Sequence, residues 1–174
     1  MQDLITRFVE DFLAQVYGES LVAAIAQDSG HTPPLTLLTH AAGRLDKPLF
    51  ELIEDFGLWL ARIEVVRRLL RFSGAAFPDF LAALGELPGR VRLVLPDLTL
   101  PDIRVRSDGP ARQHLLLGGD DPAWTSLLAG LLRGMADDYG SLALIEVQGM
   151  AVCVDVSLDD YAAGRDFSLV ARHG

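Results

Sequence analysis

The chain has 174 residues, half of them apolar and 22% charged, so it can bury one domain's core and is too apolar to be disordered. Its formal net charge of −9 disfavours nucleic acid as a partner, because a negative surface repels phosphate. Its uncharged apolar runs are far shorter than the roughly 20 residues that span a bilayer, and its amino-terminal residues lack a signal-peptide pattern. We therefore expect a cytoplasmic protein with no membrane partner.

Residues 1–87 are predicted to be helical. Apolar residues recur at three- and four-residue spacing over residues 4–16, and Gly18 is placed to end this first helix. The same periodicity predicts further helices over residues 19–27, 35–44, 49–72 and 78–87. The last of them is predicted to end at Pro88-Gly89.

Residues 88–174 are predicted to be rich in strands. Extended segments are expected over residues 91–95 and 103–107, and the turn residues Asp108-Gly109-Pro110 predict a hairpin between 103–107 and 112–117. Asp120 or Asp121 can cap a long helix over residues 122–139, which Gly140 ends. Further strands are expected over 142–147, 151–156 and 167–171.

This order of elements predicts a single α+β domain over residues 1–174. A helical amino-terminal part over residues 1–87 is followed over 88–174 by an antiparallel sheet with one long inserted helix. No linker or repeat divides the two parts.

The residues with catalytic potential are scattered. Cys153 is the sole cysteine and lies in an apolar run, which is typical of a buried core residue rather than a reactive thiol. The tandem acids, such as Asp137-Asp138, do not face each other on a helix, and nothing supplies further metal ligands. No pairing of cysteine with histidine is indicated either, so the sequence predicts neither an enzyme nor a metal site.

Four segments in this order resemble a known family, the haem nitric oxide/oxygen-binding (H-NOX) domains. MQDLITRFVEDFLAQVYGES resembles the family's first helix, and EDFGLWL resembles a segment of its middle helix. FPDFLAALGELPGRVRLVLPDLTLPDIRV resembles the region of the proximal haem ligand, and LLAGLLRGMADDYG resembles the long helix near the carboxy terminus. The resemblance implies a nitric oxide or oxygen sensor in signalling, with the α+β fold predicted above.

The resemblance also locates the family's haem-binding positions, and most of them are changed. The proximal histidine position is occupied by Pro88, which has no atom that can coordinate iron. Pro101 matches a proline that in the family packs against the haem. The family clamps the haem propionates with a Tyr-x-Ser-x-Arg motif, whose three positions correspond here to Leu117, Gly119 and Asp121.

These changes act against haem bound in the family's manner. An arginine about 4 Å from a propionate gains roughly 4 kcal/mol at an effective dielectric near 20, and Asp121 would replace this attraction by repulsion of similar size. His40 is the only histidine within a helical apolar pattern and is a weak alternative ligand. We expect no cofactor bound in the family's manner. The open alternative is haem whose iron is coordinated by a residue at another position.

A haem-free domain of this fold must fill the family's pocket in another way. An empty cavity of about 300 Å³ costs on the order of 7 kcal/mol, against a typical net stability of about 5–15 kcal/mol. Side chains placed near the pocket are Ile5, Phe8, Phe56, Trp59 and Trp124, together with Leu117. They are equally consistent with ordinary core residues.

Three functional hypotheses follow. The first is a haem-free regulatory domain that acts through protein–protein contacts; the resemblance implies a separate signalling enzyme, such as a histidine kinase or cyclic-dinucleotide enzyme, as its partner. The second is a sensor of another tetrapyrrole or apolar ligand in the same pocket. The third is a haem gas sensor with a displaced ligand.

Overall fold

The computed structural model describes residues 2–28, 32–96, 98–109 and 111–157. Its helices are α1 (Gln2–Tyr17), α2 (Glu19–Asp28), α3 (Pro34–Leu45), α4 (Leu49–Arg62), α5 (Glu64–Arg71), α6 (Phe77–Ala82), α7 (Leu87–Val94) and α8 (Ala123–Tyr139). A 3₁₀ turn, Ala83–Glu86, joins α6 to α7. The strands are β1 (Ile103–Asp108), β2 (Arg112–Leu117), β3 (Ala143–Gln148) and β4 (Ala151–Val156). The predicted α+β class is confirmed.

The four strands form one antiparallel sheet in the order β1-β2-β4-β3. The predicted hairpin of β1 with β2 is confirmed, with Ile103 opposite Leu117. Helix α8 leaves β2 and returns the chain to β3 at the far edge, so β4 lies between β3 and β2. The predicted strand over residues 167–171 lies outside the described residues.

The predicted helix over residues 49–72 is wrong in one respect, because the structure divides it into α4 and α5. Ile63 between them has extended backbone angles, φ −69° and ψ 121°. The break redirects α5 so that Arg67 and Arg71 pair with Asp138 near the end of α8, at 3.1 and 3.3 Å. Apolar periodicity continues across such a bend and therefore does not reveal it.

The predicted helix end at Pro88-Gly89 and the predicted strand over residues 91–95 are also wrong. Residues 88–94 belong to α7, where Pro88 lies in the first turn and needs no hydrogen-bonded N–H. Arg90 anchors this helix by donating to Ser73 Oγ at 2.8 Å and to the Ala83 carbonyl at 3.0 Å. The helical part therefore extends to Val94.

Helices α4 and α8 cross at very short range and hold the two parts of the structure together. Gly57 of α4 and Gly130 of α8 allow this approach, because a methyl group on either would overlap the backbone of the other helix. One face of α8 packs on the sheet through Leu128 and Leu132. Its partly buried Ala123 and Leu127 pack on the amino-terminal helices.

A polar cluster fixes the end of α1 to α4. Asp55 of α4 accepts a hydrogen bond from the Tyr17 hydroxyl at 2.9 Å and pairs with Lys47, the only lysine of the chain. The hydrogen bond to Asp55 raises the pKa of Lys47, and partial burial raises the pKa of Tyr17. Among helices in the described part of the chain, none combines the length and apolarity needed to cross a membrane.

Candidate functional site

An apolar cavity of about 270 Å³ opens where α1, α3 and α4 meet the start of α8. All but one of the residues that line it are apolar, and the exception is Asp121. The apolar residues are Ile5, Val9, Pro33, Pro34, Leu35, Leu38, Ile53, Phe56, Ala123, Trp124 and Leu127. The crossing helices α4 and α8 contribute Phe56 and Leu127 to this lining. A space of this size and polarity suits a small apolar group.

A second, more polar cavity of about 470 Å³ adjoins the first. It is lined by Arg92, Thr99, Leu100, Pro101, Asp102, Gly118, Gly119, Asp120, Asp121 and Trp124. Asp121 and Trp124, just before and within the first turn of α8, line both cavities and therefore lie between them. Three carboxylates against one guanidinium give the second cavity a negative formal charge.

The structure brings six of the sequence-predicted site residues to these cavities. Ile5, Phe56 and Trp124 line the apolar cavity, together with Asp121. Pro101 and Gly119 line the second cavity, again with Asp121 and Trp124.

The other predicted site residues lie elsewhere. Phe8 and Trp59 pack edge to face, with ring centroids 6.4 Å apart, and neither lines the apolar cavity. Leu117 is buried at the end of β2, in the core between the sheet and α8. Pro88 is buried on α7 and lines neither cavity, although Arg92, one turn further along, lines the second.

His40 lies on an exposed position of α3. Leu35 and Leu38 of the same helix line the apolar cavity instead. The apolar pattern around His40 therefore reflects the buried face of α3, and the imidazole is directed away from that face.

Asp121, one of the two predicted caps, binds the first N–H of α8 with its side chain, although Pro122 occupies the cap position of the helix. Its Oδ1 accepts a hydrogen bond from the backbone N–H of Ala123 at 2.9 Å. A carboxylate suits this position because the first N–H groups of a helix lack partners and carry partial positive charge. Asp121 nevertheless remains exposed.

The residues around the two cavities do not match the needs of haem. Among the described residues that line them there is no histidine, cysteine, methionine or tyrosine, the side chains that usually bind haem iron. Propionates would meet Asp102, Asp120 and Asp121 with only Arg92 to compensate. No group of three or more potential metal ligands occurs among the described residues.

A thiol–imidazole pair on the outer face of the sheet was missed by the sequence analysis. Cys153 of β4 lies opposite His114 of β2, with Sγ 3.1 Å from Nδ1. The second imidazole nitrogen is 3.8 Å from Asp108 Oδ2, beyond hydrogen-bond range. Burial, chiefly, raises the pKa of Cys153, so the neutral thiol is its resting form.

This pair does not form an active nucleophile. A reactive thiol needs an electropositive and partly exposed setting, whereas Cys153 is 6% exposed. The predicted burial of Cys153 is therefore confirmed. Only the pairing of β2 with β4, which the sequence does not specify, could have revealed its histidine neighbour.

The comparisons with known proteins identify the fold. No family model matches the chain, and no curated protein matches it in sequence. An Fe(II) unliganded H-NOX protein from K. algicida superposes with a TM-score of 0.78 at 18% identity, over 92% of this chain and 99% of that one. An H-NOX protein from S. oneidensis in the Fe(II)NO state gives 0.76 at 14% identity, over 90% and 99%. The chain has the H-NOX fold.

Proposed function

We propose that this chain is a single sensory or regulatory domain of the H-NOX fold that does not hold haem in the family's manner. The observation that carries this proposal is the composition of the two cavities. Among the described residues that line them, none has a side chain that usually coordinates haem iron. The position matched to the family's proximal histidine is occupied by a proline.

The carboxylate at the clamp position supports the same proposal. Asp121 is engaged in capping α8, and Asp120 and Asp102 lie around the same cavity. A dianionic porphyrin edge there would face three carboxylates in place of the arginine of the family motif. Loss of the axial bond and reversal of the clamp charge both weaken haem binding.

The output of the domain is proposed from its fold alone. H-NOX domains act with signalling proteins, and we propose a contact with a separate signalling enzyme, such as a histidine kinase or cyclic-dinucleotide enzyme. The domain itself would supply recognition rather than catalysis.

A second candidate function is a sensor of another ligand, and the apolar cavity favours it. An apolar opening of about 270 Å³ is large enough to bind a molecule bigger than benzene. A tetrapyrrole is less well suited, because Trp124 and Asp121 divide the available space.

The absorption spectrum of protein made with ample haem supply tests these alternatives. The S. oneidensis H-NOX protein, expressed in parallel, controls for haem supply. We expect a colourless protein. A stoichiometric Soret band that shifts with nitric oxide would refute the proposal, whereas a colourless protein that releases an organic molecule on denaturation would support the ligand sensor.

A further inference from the structure

We propose that the apolar cavity binds a small amphipathic cation, an apolar body of about ten non-hydrogen atoms that carries an ammonium group. This inference rests on the proposed function, because haem would compete for the same space. It assigns the ligand a size and a polarity from the walls of the cavity and a charge from Asp121.

The size and polarity of the ligand follow from the walls. An engineered cavity of about 150 Å³ lined by apolar side chains accepts benzene. The cavity here, at about 270 Å³, has room for a ring with a short chain attached. Phe56 and Trp124 offer aromatic surfaces to such a ring, and Leu38 and Leu127 supply further apolar contacts.

The charge of the ligand follows from Asp121. It is the single charged residue that lines the apolar cavity, where no lysine, arginine or histidine is found among the described lining residues. One carboxylate oxygen accepts from Ala123, and no hydrogen bond from the described residues reaches the other. An ammonium group there would also lie near the Trp124 ring, whose face attracts cations.

The partial positive charge at the amino terminus of α8 disfavours a cationic ligand but does not outweigh the nearby carboxylates. A helix terminus carries about half a positive charge, whereas Asp121 and its neighbour Asp120 each carry a full negative charge at neutral pH. The local field is therefore net negative. An anionic ligand of equal size would be repelled.

Three ligands with one apolar body and different charges test the inference: 3-phenylpropylamine, 3-phenylpropan-1-ol and 3-phenylpropanoate. Isothermal titration calorimetry on the full chain measures their Kd values at low and high salt. We expect the amine to bind about fivefold more tightly than the alcohol at low salt, because Asp121 is solvent-exposed and the attraction is screened. The carboxylate should bind most weakly.

Two matched variants test whether Asp121 causes the preference for the amine, and a third tests whether the ligands bind in the cavity. Asp121→Asn removes the charge while preserving a side-chain oxygen that can cap α8, and we expect it to abolish the preference for the amine. Asp137→Asn makes the same change 16 positions later on α8, roughly 24 Å away, and should retain the preference. Ala123→Phe fills the cavity and should prevent binding of all three ligands, with circular dichroism confirming its fold.

Several results would overturn the inference. They are equal binding of the three ligands, an amine preference that survives Asp121→Asn, no binding at millimolar concentration, or undiminished binding to folded Ala123→Phe. A colourless protein that ignores the amine would refute only this inference. A protein that takes up stoichiometric haem would refute the proposed function itself.

Discussion

Replacing Gly130 by alanine improves helix propensity but disturbs the packing of two helices, and we expect the loss of packing to be the larger effect on the free energy of unfolding. Gly130 lies inside α8 where this helix crosses α4. A methyl group at this position would overlap the carbonyl group of Glu54 and come within 2.9 Å of the Leu58 backbone nitrogen. These are backbone atoms of a packed helix, so relief requires the two helices to separate.

The magnitude follows from two opposing contributions. Alanine is favoured over glycine inside a helix by about 1 kcal/mol. Overpacking against backbone that must move costs about 3 kcal/mol, the upper part of the usual range. We therefore expect Gly130→Ala to lower the free energy of unfolding by about 2 kcal/mol, which corresponds to about 4–8 °C in Tm for a chain of this size.

Gly43→Ala is the matched control. Gly43 is also helical, in α3, but an added methyl group would meet no atom within 4 Å. Only propensity then operates, and we expect stabilisation by about 0.5–1 kcal/mol. Urea unfolding followed by circular dichroism measures both variants. Stabilisation by Gly130→Ala would refute the close crossing of α4 and α8.

Three further predictions concern single groups. Asp121→Ala should lower the free energy of unfolding by about 1 kcal/mol in thermal melts, because α8 loses its cap, while Asp121→Asn should leave it nearly unchanged. Cys153 should react with iodoacetamide at pH 8 more slowly than a free cysteine peptide, because burial hides the thiol and raises its pKa; equal rates would contradict its buried position. Folding raises the pKa values of Tyr17 and Lys47, so both groups stabilise the fold fully at pH values below their ordinary pKa values of 10.0 and 10.5. This stabilisation is lost as the pH rises through the pKa values of the folded protein. The urea concentration at the unfolding midpoint should therefore decrease as the pH rises above 10. In Asp55→Asn this decrease should be less steep.

The sequence predicted some elements well because their limits are encoded locally. Helix α8 is preceded by Asp121, whose side chain binds its first N–H, and by Pro122, and it ends at Gly140, which has the left-handed φ of 67° that favours glycine. Helix α7 was predicted incorrectly because Pro88-Gly89 is a local stop signal. Arg90 anchors the observed helix to the Ser73 hydroxyl, 17 residues earlier, and to the Ala83 carbonyl, and no local signal specifies these contacts.

The candidate site was predictable only where helix faces determine it. Ile5 and Phe56 lie on the buried faces of amphipathic helices, which periodicity reveals, and both reach the cavity. Trp59 lies on the same helix as Phe56 and stacks on it, with ring centroids 6.1 Å apart, yet it does not line the cavity, which a face assignment alone does not distinguish. The neighbours Cys153 and His114 depend on strand order, which no local signal specifies.

Haem titration of the parent beside the double variant Pro88→His, Asp121→Arg tests most directly whether this fold has lost its means of holding haem. The variant restores an imidazole on α7 and a cation where the family clamps propionate. We predict a weak, non-stoichiometric Soret increase for the parent and a larger, saturable one for the variant. Equal uptake by the two proteins, or tight one-to-one binding of haem by the parent, would contradict the account.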